Sequence, residues 1–320
     1  MYSVSCRVFG LKSRFITTLV ACLATQLLLI AEPGIAEPGD VSSVLSQNSS
    51  NARADSRIGR LGSNLLNLGQ ALEREERTGR ERTRMVNLAP LALEGGSKLN
   101  MVAAAHWLPV ARKVTKLIKR THSQYNSTFS SIPAFSTTVR LLDEEQFYRL
   151  TGAPRWTNAM YYRGEITIPL SPSQLLDLDN LYRSIKHEYT HAVVHSLSGG
   201  KCPGWLDEGI AQWAEGAENP ALEPALRDWL TLNPPVPLRY LQGGFTKLQT
   251  SMVAPAYAQS LFAARNMIKR QGFYRIRRYL DLLRTGKSKA KAFKASFQIS
   301  EAQYEKQLGS KLRSWALHRH

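Results

Sequence analysis

The sequence predicts an α+β fold: a small mixed sheet with an edge hairpin packed on a long helix, followed by a mainly helical C-terminal part. Three observations predict it. Short β-type runs cluster between residues 136 and 169, a long amphipathic helical pattern spans about 179–196, and helical periodicity then dominates to residue 283. With 320 residues and 43% hydrophobic content, the chain is long enough to close a substantial core.

The first segment stands apart. Arg7, Lys12 and Arg14 precede an uncharged apolar run from Phe15 to Ala31, then Pro33, Gly34 and Ala36. That order reads as a secretory signal peptide over 1–36, so the chain is expected to be exported, to a periplasmic or extracellular location, or held by an uncleaved N-terminal anchor. Processing would remove Cys6 and Cys22 and leave Cys202 alone, which excludes an intrachain disulfide.

Residues 37–98 read as a linker and a charged helical segment. Up to residue 56 the chain is rich in Ser, Asn and Asp; from 57 to 86 Leu61, Leu65, Leu66, Leu68 and Leu72 lead into a charged run. The compact domain is expected over 99–285. Trp107, Leu108, Val110, Ala111, Val114, Leu117 and Ile118 recur at helical spacing, Ser136 to Leu142 reads as a strand, and Asp143 can cap the short helix after it. Two runs, 159–162 and 165–169, flank Arg163-Gly164 as a hairpin. The long helix ends at Gly199-Gly200, another runs from Pro203 to Gly216, and residues 256–271 and 273–283 continue as helices.

The charge is strongly basic, at +17. Residues 265–320 hold 15 Lys or Arg against Asp281, Glu301 and Glu305, a local net of +12, so 286–320 reads as a basic helical tail. Such a face favours weak, salt-sensitive association with an anionic cell surface. No aromatic-and-basic motif accompanies it, and nucleic acid is not an expected partner.

The chemistry concentrates in His187-Glu188-Tyr189-Thr190-His191. Residues four apart on a helix project from one face, so both imidazoles reach one metal. Glu188 lies about 100° round from His187, beside the ion, where its carboxylate can take a proton from water. Ile185, Ala192, Val193 and Val194 give the same helix a buried side, and two imidazoles with an acid on a half-buried element call for a compensating cation. A catalytic zinc needs a third ligand, and Glu208 in the next helix is the natural candidate. Glu215, one heptad further on, is the alternative. His195 lies too far along the helix to converge and reads as a packing or supporting histidine; Asp207 reads either as an acid orienting a ligand histidine or as a solvated helix-start acid. Leu197 and Val194 stand where metzincins place a histidine and a glycine, which excludes that subclass. Cys202, in the turn between the helices, reads as a small packing residue.

These residues, with Trp205-Leu206-Asp207-Glu208-Gly209-Ile210-Ala211 and Tyr257-Ala258-Gln259-Ser260, resemble the gluzincin metallopeptidases of the peptidase MA-like group over about 100–285. The resemblance implies a zincin-like domain, zinc as cofactor held by His187, His191 and Glu208, Glu188 as base, and a peptide or protein substrate laid along the edge hairpin of 159–168. It also implies a tyrosine that stabilises the oxyanion, with Tyr257 the best match and Tyr240 or Tyr161 the alternatives. Two other readings stay open: a catalytically silent, zinc-stabilised binding module at an anionic surface, and a hydrolase of peptidoglycan stem peptides. Oligomeric state is not legible.

Overall fold

A computed structural model describes residues 83–318 except 156, 173–177, 217–219 and 246–247. The expected signal peptide, the linker and nearly all of the 57–86 helix lie outside those residues. The end of that helix is corrected: Met85 and Val86 belong to a strand, β1 (Met85–Asn87). With β2 (Leu91–Ala92) it lines one side of β3 (Lys98–Ala104), antiparallel, so the sheet begins before Leu99.

The sheet runs β1-β3-β4-β6-β5, where β4 is Ser136–Asp143, β5 Met160–Tyr162 and β6 Glu165–Leu170. β3, β4 and β6 are parallel, and β5 turns back antiparallel as the edge. Strand alternation explains β3 and β4, which bury Leu99, Met101 and Ala103, then Val139 and Leu141. β6 carries the unbroken buried run Ile166 to Leu170, as expected where both faces are covered. The hairpin closes through two residues, Arg163 at φ 49° and Gly164 at φ 85°. Left-handed backbone at both positions gives a turn whose twist matches the strands it joins.

Parallel strands need crossovers. α1 (Leu108–Thr128) links β3 to β4, and α2 (Glu144–Thr151) with the segment after it leads toward the hairpin. α1 starts with Pro109 in its first turn and buries Ala111, Val114, Leu117, Ile118, Thr121, His122 and Tyr125, a stripe at three- and four-residue spacing. Asp143 does precede α2, but its side chain makes no cap; Trp107 Nε1 and His106 Nε2 each lie 2.8 Å from its Oδ1 instead. The carboxylate thus ties the start of α1 to the end of β4.

Helices complete the domain: α3 (Leu178–Ser198), α4 (Gly204–Glu215), α5 (Leu222–Leu232), α6 (Thr250–Gln271), α7 (Phe273–Arg284), α8 (Lys289–Phe297) and α9 (Glu301–Leu317). Among the described residues no helix is long and apolar enough to cross a membrane. The α+β expectation holds, with a small mixed sheet and a helical C-terminal half. Residues after 285 are more than a tail, because Phe293, Phe297, Tyr304, Leu308 and Leu312 are buried in the common core. Glu301 accepts a hydrogen bond from Trp205 Nε1 at 3.0 Å, which fastens α9 to α4.

Candidate metal centre

α3 is fixed from behind before it presents anything in front. Its Tyr189 and Thr190 are buried against α1. His122 Nε2 faces the main-chain oxygen of Glu94 at 2.9 Å and must donate to it, so Nδ1 accepts from the Tyr189 hydroxyl at 2.8 Å. The Tyr125 hydroxyl lies 3.0 Å from Thr190 Oγ1. A buried hydrogen-bonded back leaves α3 little freedom to rotate, and one turn of its opposite side carries His187 and His191. Gly199 and Gly200, both at positive φ, then end α3, and Pro203 opens α4 in extended backbone.

α4 lies against both α3 and α6. Gly209 makes the second contact possible: a Cβ there would run into the main-chain carbonyl of Ser260. Gln212 donates to the Tyr257 carbonyl at 2.9 Å, which locks the register of the two helices.

The outcome is a convergence. His187 Nε2 and His191 Nε2 are 3.1 Å apart, and Glu208 Oε2 sits 3.4 Å from the first and 3.7 Å from the second. One donor atom from each of the three residues lies within 4.8 Å of the others, the single such group of His, Cys, Asp or Glu among the described residues. The side chains are 17%, 11% and 14% exposed, so solvent cannot fully serve them.

The outer nitrogens are taken. Glu215 Oε1 lies 2.7 Å from His187 Nδ1, and a carboxylate can only accept, so this nitrogen carries the proton. Arg183 in turn pairs with Glu215 at 3.5 Å. Asp207 Oδ1 approaches His191 Nδ1 to 3.0 Å without a well-aligned hydrogen bond. Glu215, the alternative third ligand, therefore orients His187, and Asp207 takes the orienting place beside His191. Arg183 is absent from the sequence reading, although its position one turn before His187 could have signalled it.

Does this set fit a divalent cation? With His187 Nδ1 bound to Glu215 and His191 Nδ1 beside Asp207, both Nε2 atoms face one point, and Glu208 Oε2 is buried with no hydrogen-bond partner. Such an arrangement repels itself unless a positive charge enters it. The proton affinities say the same. Burial works against a charged imidazole, yet Glu208 and Glu215 outweigh it and hold His187 well above its ordinary value. At His191 burial is likewise overcome, by Asp207 and Glu208, which raise it to about 9. Burial also opposes ionisation of Glu208, but the two imidazoles hold its carboxyl low. Two nitrogen donors, one carboxylate and a carboxylate behind each imidazole match the zinc donor set and its usual supports.

Glu188 stands to one side of the three. Burial raises its carboxyl, against the pull of His187 and His191. The main-chain N–H of Tyr161 is a smaller influence that favours its ionised form. The hairpin register explains the proximity: Tyr162 pairs with Glu165 beside the two-residue turn and Met160 with Thr167, so Tyr161 occupies the alternate position whose N–H faces away from β6. Sequence reasoning gave no signal for this main-chain donor.

Tyr257 is half-buried with its ring against Phe245 at 5.0 Å, and its hydroxyl is pushed well up by burial and by the charges of Glu208 and Glu188. Of the three tyrosines considered, this is the one whose hydroxyl is influenced by the charges of both acids. Tyr240 is 58% exposed, and the Tyr161 ring sits edge-on to His195 at 6.0 Å. His195 is a packing residue on the exposed side of α3, and Cys202 is partly buried against the core.

The peptidase MA superfamily model matches residues 116–313, more than half of the chain. The chain belongs to that superfamily. The match runs through α8 and most of α9, which corrects the expectation that the resemblance stops near residue 285. Similar solved structures include a mutant two-domain M1 zinc metallopeptidase bound to L-arginine, at 17% identity over 74% of this chain and 52% of that one, TM-score 0.41. An M1 zinc metallopeptidase from Deinococcus radiodurans matches at 16% identity over 73% and 51%, TM-score 0.38. Legionella pneumophila aminopeptidase A in complex with aspartic acid matches at 13% over 72% and 28%, TM-score 0.44. The chain thus spans about half the length of the first two and less of the third. No curated protein matches it significantly.

Proposed function

We propose that this protein is a zinc-dependent peptidase that hydrolyses peptide bonds, with His187, His191 and Glu208 holding the ion and Glu188 acting as general base. The observation that carries the proposal is the convergence of both Nε2 atoms on Glu208 Oε2 while Glu215 and Asp207 take the outer nitrogens. Zinc in that position supplies Lewis acidity toward a carbonyl and lowers the pKa of water it holds to about 7.

The chain's own groups do the rest. Glu188 accepts the proton of the attacking water on its carboxylate and returns it to the leaving amine. Burial favours the protonated form it must pass through. Tyr257 donates its hydroxyl hydrogen to the carbonyl oxygen as that atom gains charge. An extended substrate lies along the outer edge of β5, held by main-chain hydrogen bonds, which makes recognition depend little on side chains. The apolar N-terminal segment supports export, so the substrates are peptides or proteins met outside the cytoplasm.

The test is Glu188→Gln, which keeps the shape and removes the base. Peptide-library digestion should slow by about 10²–10⁴-fold with zinc content unchanged. Cleavage at the parent rate would show that Glu188 is not the base.

A further inference from the structure

The acids of the C-terminal helices face inward. Glu301 accepts from Trp205 Nε1 and from Gln242 Nε2, each at 3.0 Å, and Glu305 accepts from the Leu238 N–H at 2.7 Å. Asp281 serves Arg277 at 3.1 Å and Arg284 at 3.7 Å. Glu301 and Glu305 are thereby spent on holding α9 to the domain, and Asp281 on arginines of its own helix. Among the described residues, none of these acids pairs with Lys269 or Arg270 in the last turn of α6, or with Lys306 or Lys311 of α9.

They are not scattered. Arg270 from the last turn of α6 and Lys306, Gln307, Ser310 and Lys311 from α9 line one open groove of about 530 Å³. No carboxylate is among these residues, and Arg270 Nη1 donates at 3.0 Å to the neutral Gln307 Oε1. Lys269 stands beside the groove; slight burial first, then Arg270 and Lys269, holds the Lys311 amine below its ordinary value. Three cations, Arg270, Lys306 and Lys311, thus share a groove whose lining holds no acid, an arrangement that raises the local concentration of anions.

We propose that this groove binds a linear polyanion built of phosphate groups, with Arg270, Lys306 and Lys311 as its contacts. The Arg270 guanidinium offers a planar fork for phosphate oxygens, the lysines are point charges spaced along α9, and Ser310 and Gln307 add neutral hydrogen bonds. The lining residues are Arg, Lys, Gln and Ser, with no large apolar side chain to enter a bilayer, which favours a soluble chain of phosphates over a membrane. The groove is built without the metal-centre residues, so binding there localises the protein and leaves its peptidase site free.

The probe is end-labelled inorganic polyphosphate, titrated with the full chain at increasing salt and read by fluorescence anisotropy. The triple variant Arg270→Glu, Lys306→Glu and Lys311→Glu is compared with Arg112→Glu, Lys113→Glu and Lys119→Glu on α1, an equal change of net charge at exposed positions. The groove variant should bind at least about tenfold more weakly with a shallower salt dependence, and the α1 variant should stay within about twofold of the parent. Equal losses in both variants, or no binding by the parent, would overturn the proposal. So would groove-dependent binding to vesicles of anionic phospholipid with none to polyphosphate, since the partner would then be a membrane. Circular dichroism checks the fold, and Lys306→Glu alone, at an exposed position, should lower affinity if the triple variant does not fold.

Discussion

His187 donates its Nδ1 proton to Glu215 across 2.7 Å, and Glu215 lies one heptad beyond Glu208 on the same helix. One face of α4 therefore offers a carboxylate to each side of the same imidazole. The inner one can share an ion with Nε2, and the outer one fixes the tautomer that leaves Nε2 unprotonated.

Glu215→Gln should keep the fold and weaken the metal. The neutral amide oxygen can still accept from Nδ1, but the charge that makes His187 a stronger donor is gone. Zinc affinity, measured by competition with a chelator, should fall by about 10–100-fold. Unchanged affinity would make Glu215 a packing acid.

Tyr257→Phe should separate binding from chemistry. The ring stays against Phe245, and only the hydroxyl, which feels the charges of Glu208 and Glu188, is lost. We expect kcat to fall by about 10²–10³-fold with KM and zinc content nearly constant. A loss confined to KM would place the hydroxyl on substrate binding.

Gly209→Ala should injure the scaffold. The added methyl meets the Ser260 carbonyl and, at 2.8 Å, the Ala264 Cβ, so α4 and α6 must part. A cost of about 1–3 kcal/mol is expected from overpacking, read as a lower Tm, with peptidase activity reduced because α4 carries Glu208 and α6 carries Tyr257. A parent-like Tm would mean the helices have slack.

Arg140→Ala tests the hairpin's root. Arg140 Nε and Nη2 donate to Glu165 at 2.8 and 3.0 Å and hold its carboxyl below the ordinary 4.5. The folded value is the lower one, so the pair stabilises above the unfolded value and loses that contribution as pH falls through the folded one. With both side chains about a third exposed, the worth is about 0–1 kcal/mol. Parent and variant should differ in Tm at neutral pH and converge once Glu165 is protonated. A gap that persists in acid would assign the effect to lost packing.

The sequence carried the fold where local periodicity speaks. β4, the hairpin, α3 and α4 appear within a few residues of their expected bounds because apolar spacing and Gly or Pro breaks decide them locally, while α1 begins where expected and runs on past Ile118 to Thr128. It missed β1, β2 and β3: the first two are too short to show strand character except by pairing with β3, and β3 ends in alanines that carry no β-type signal. It also undervalued α8 and α9, whose basic outer faces hide the spacing of Phe293, Phe297, Tyr304, Leu308 and Leu312. At the candidate site His187, Glu188, His191 and Glu208 were legible from spacing. The Tyr161 N–H and Arg183 were not, because a main-chain donor has no sequence signature and an arginine one turn away looks like any solvated charge.

Zinc stoichiometry tests the central claim most directly. Purified protein should hold about one zinc per chain, and His187→Ala, His191→Ala and Glu208→Ala should each lose most of it. A metal-free parent under zinc-replete purification, or full retention in any of the three variants, would contradict the assignment of these side chains as the ion's ligands.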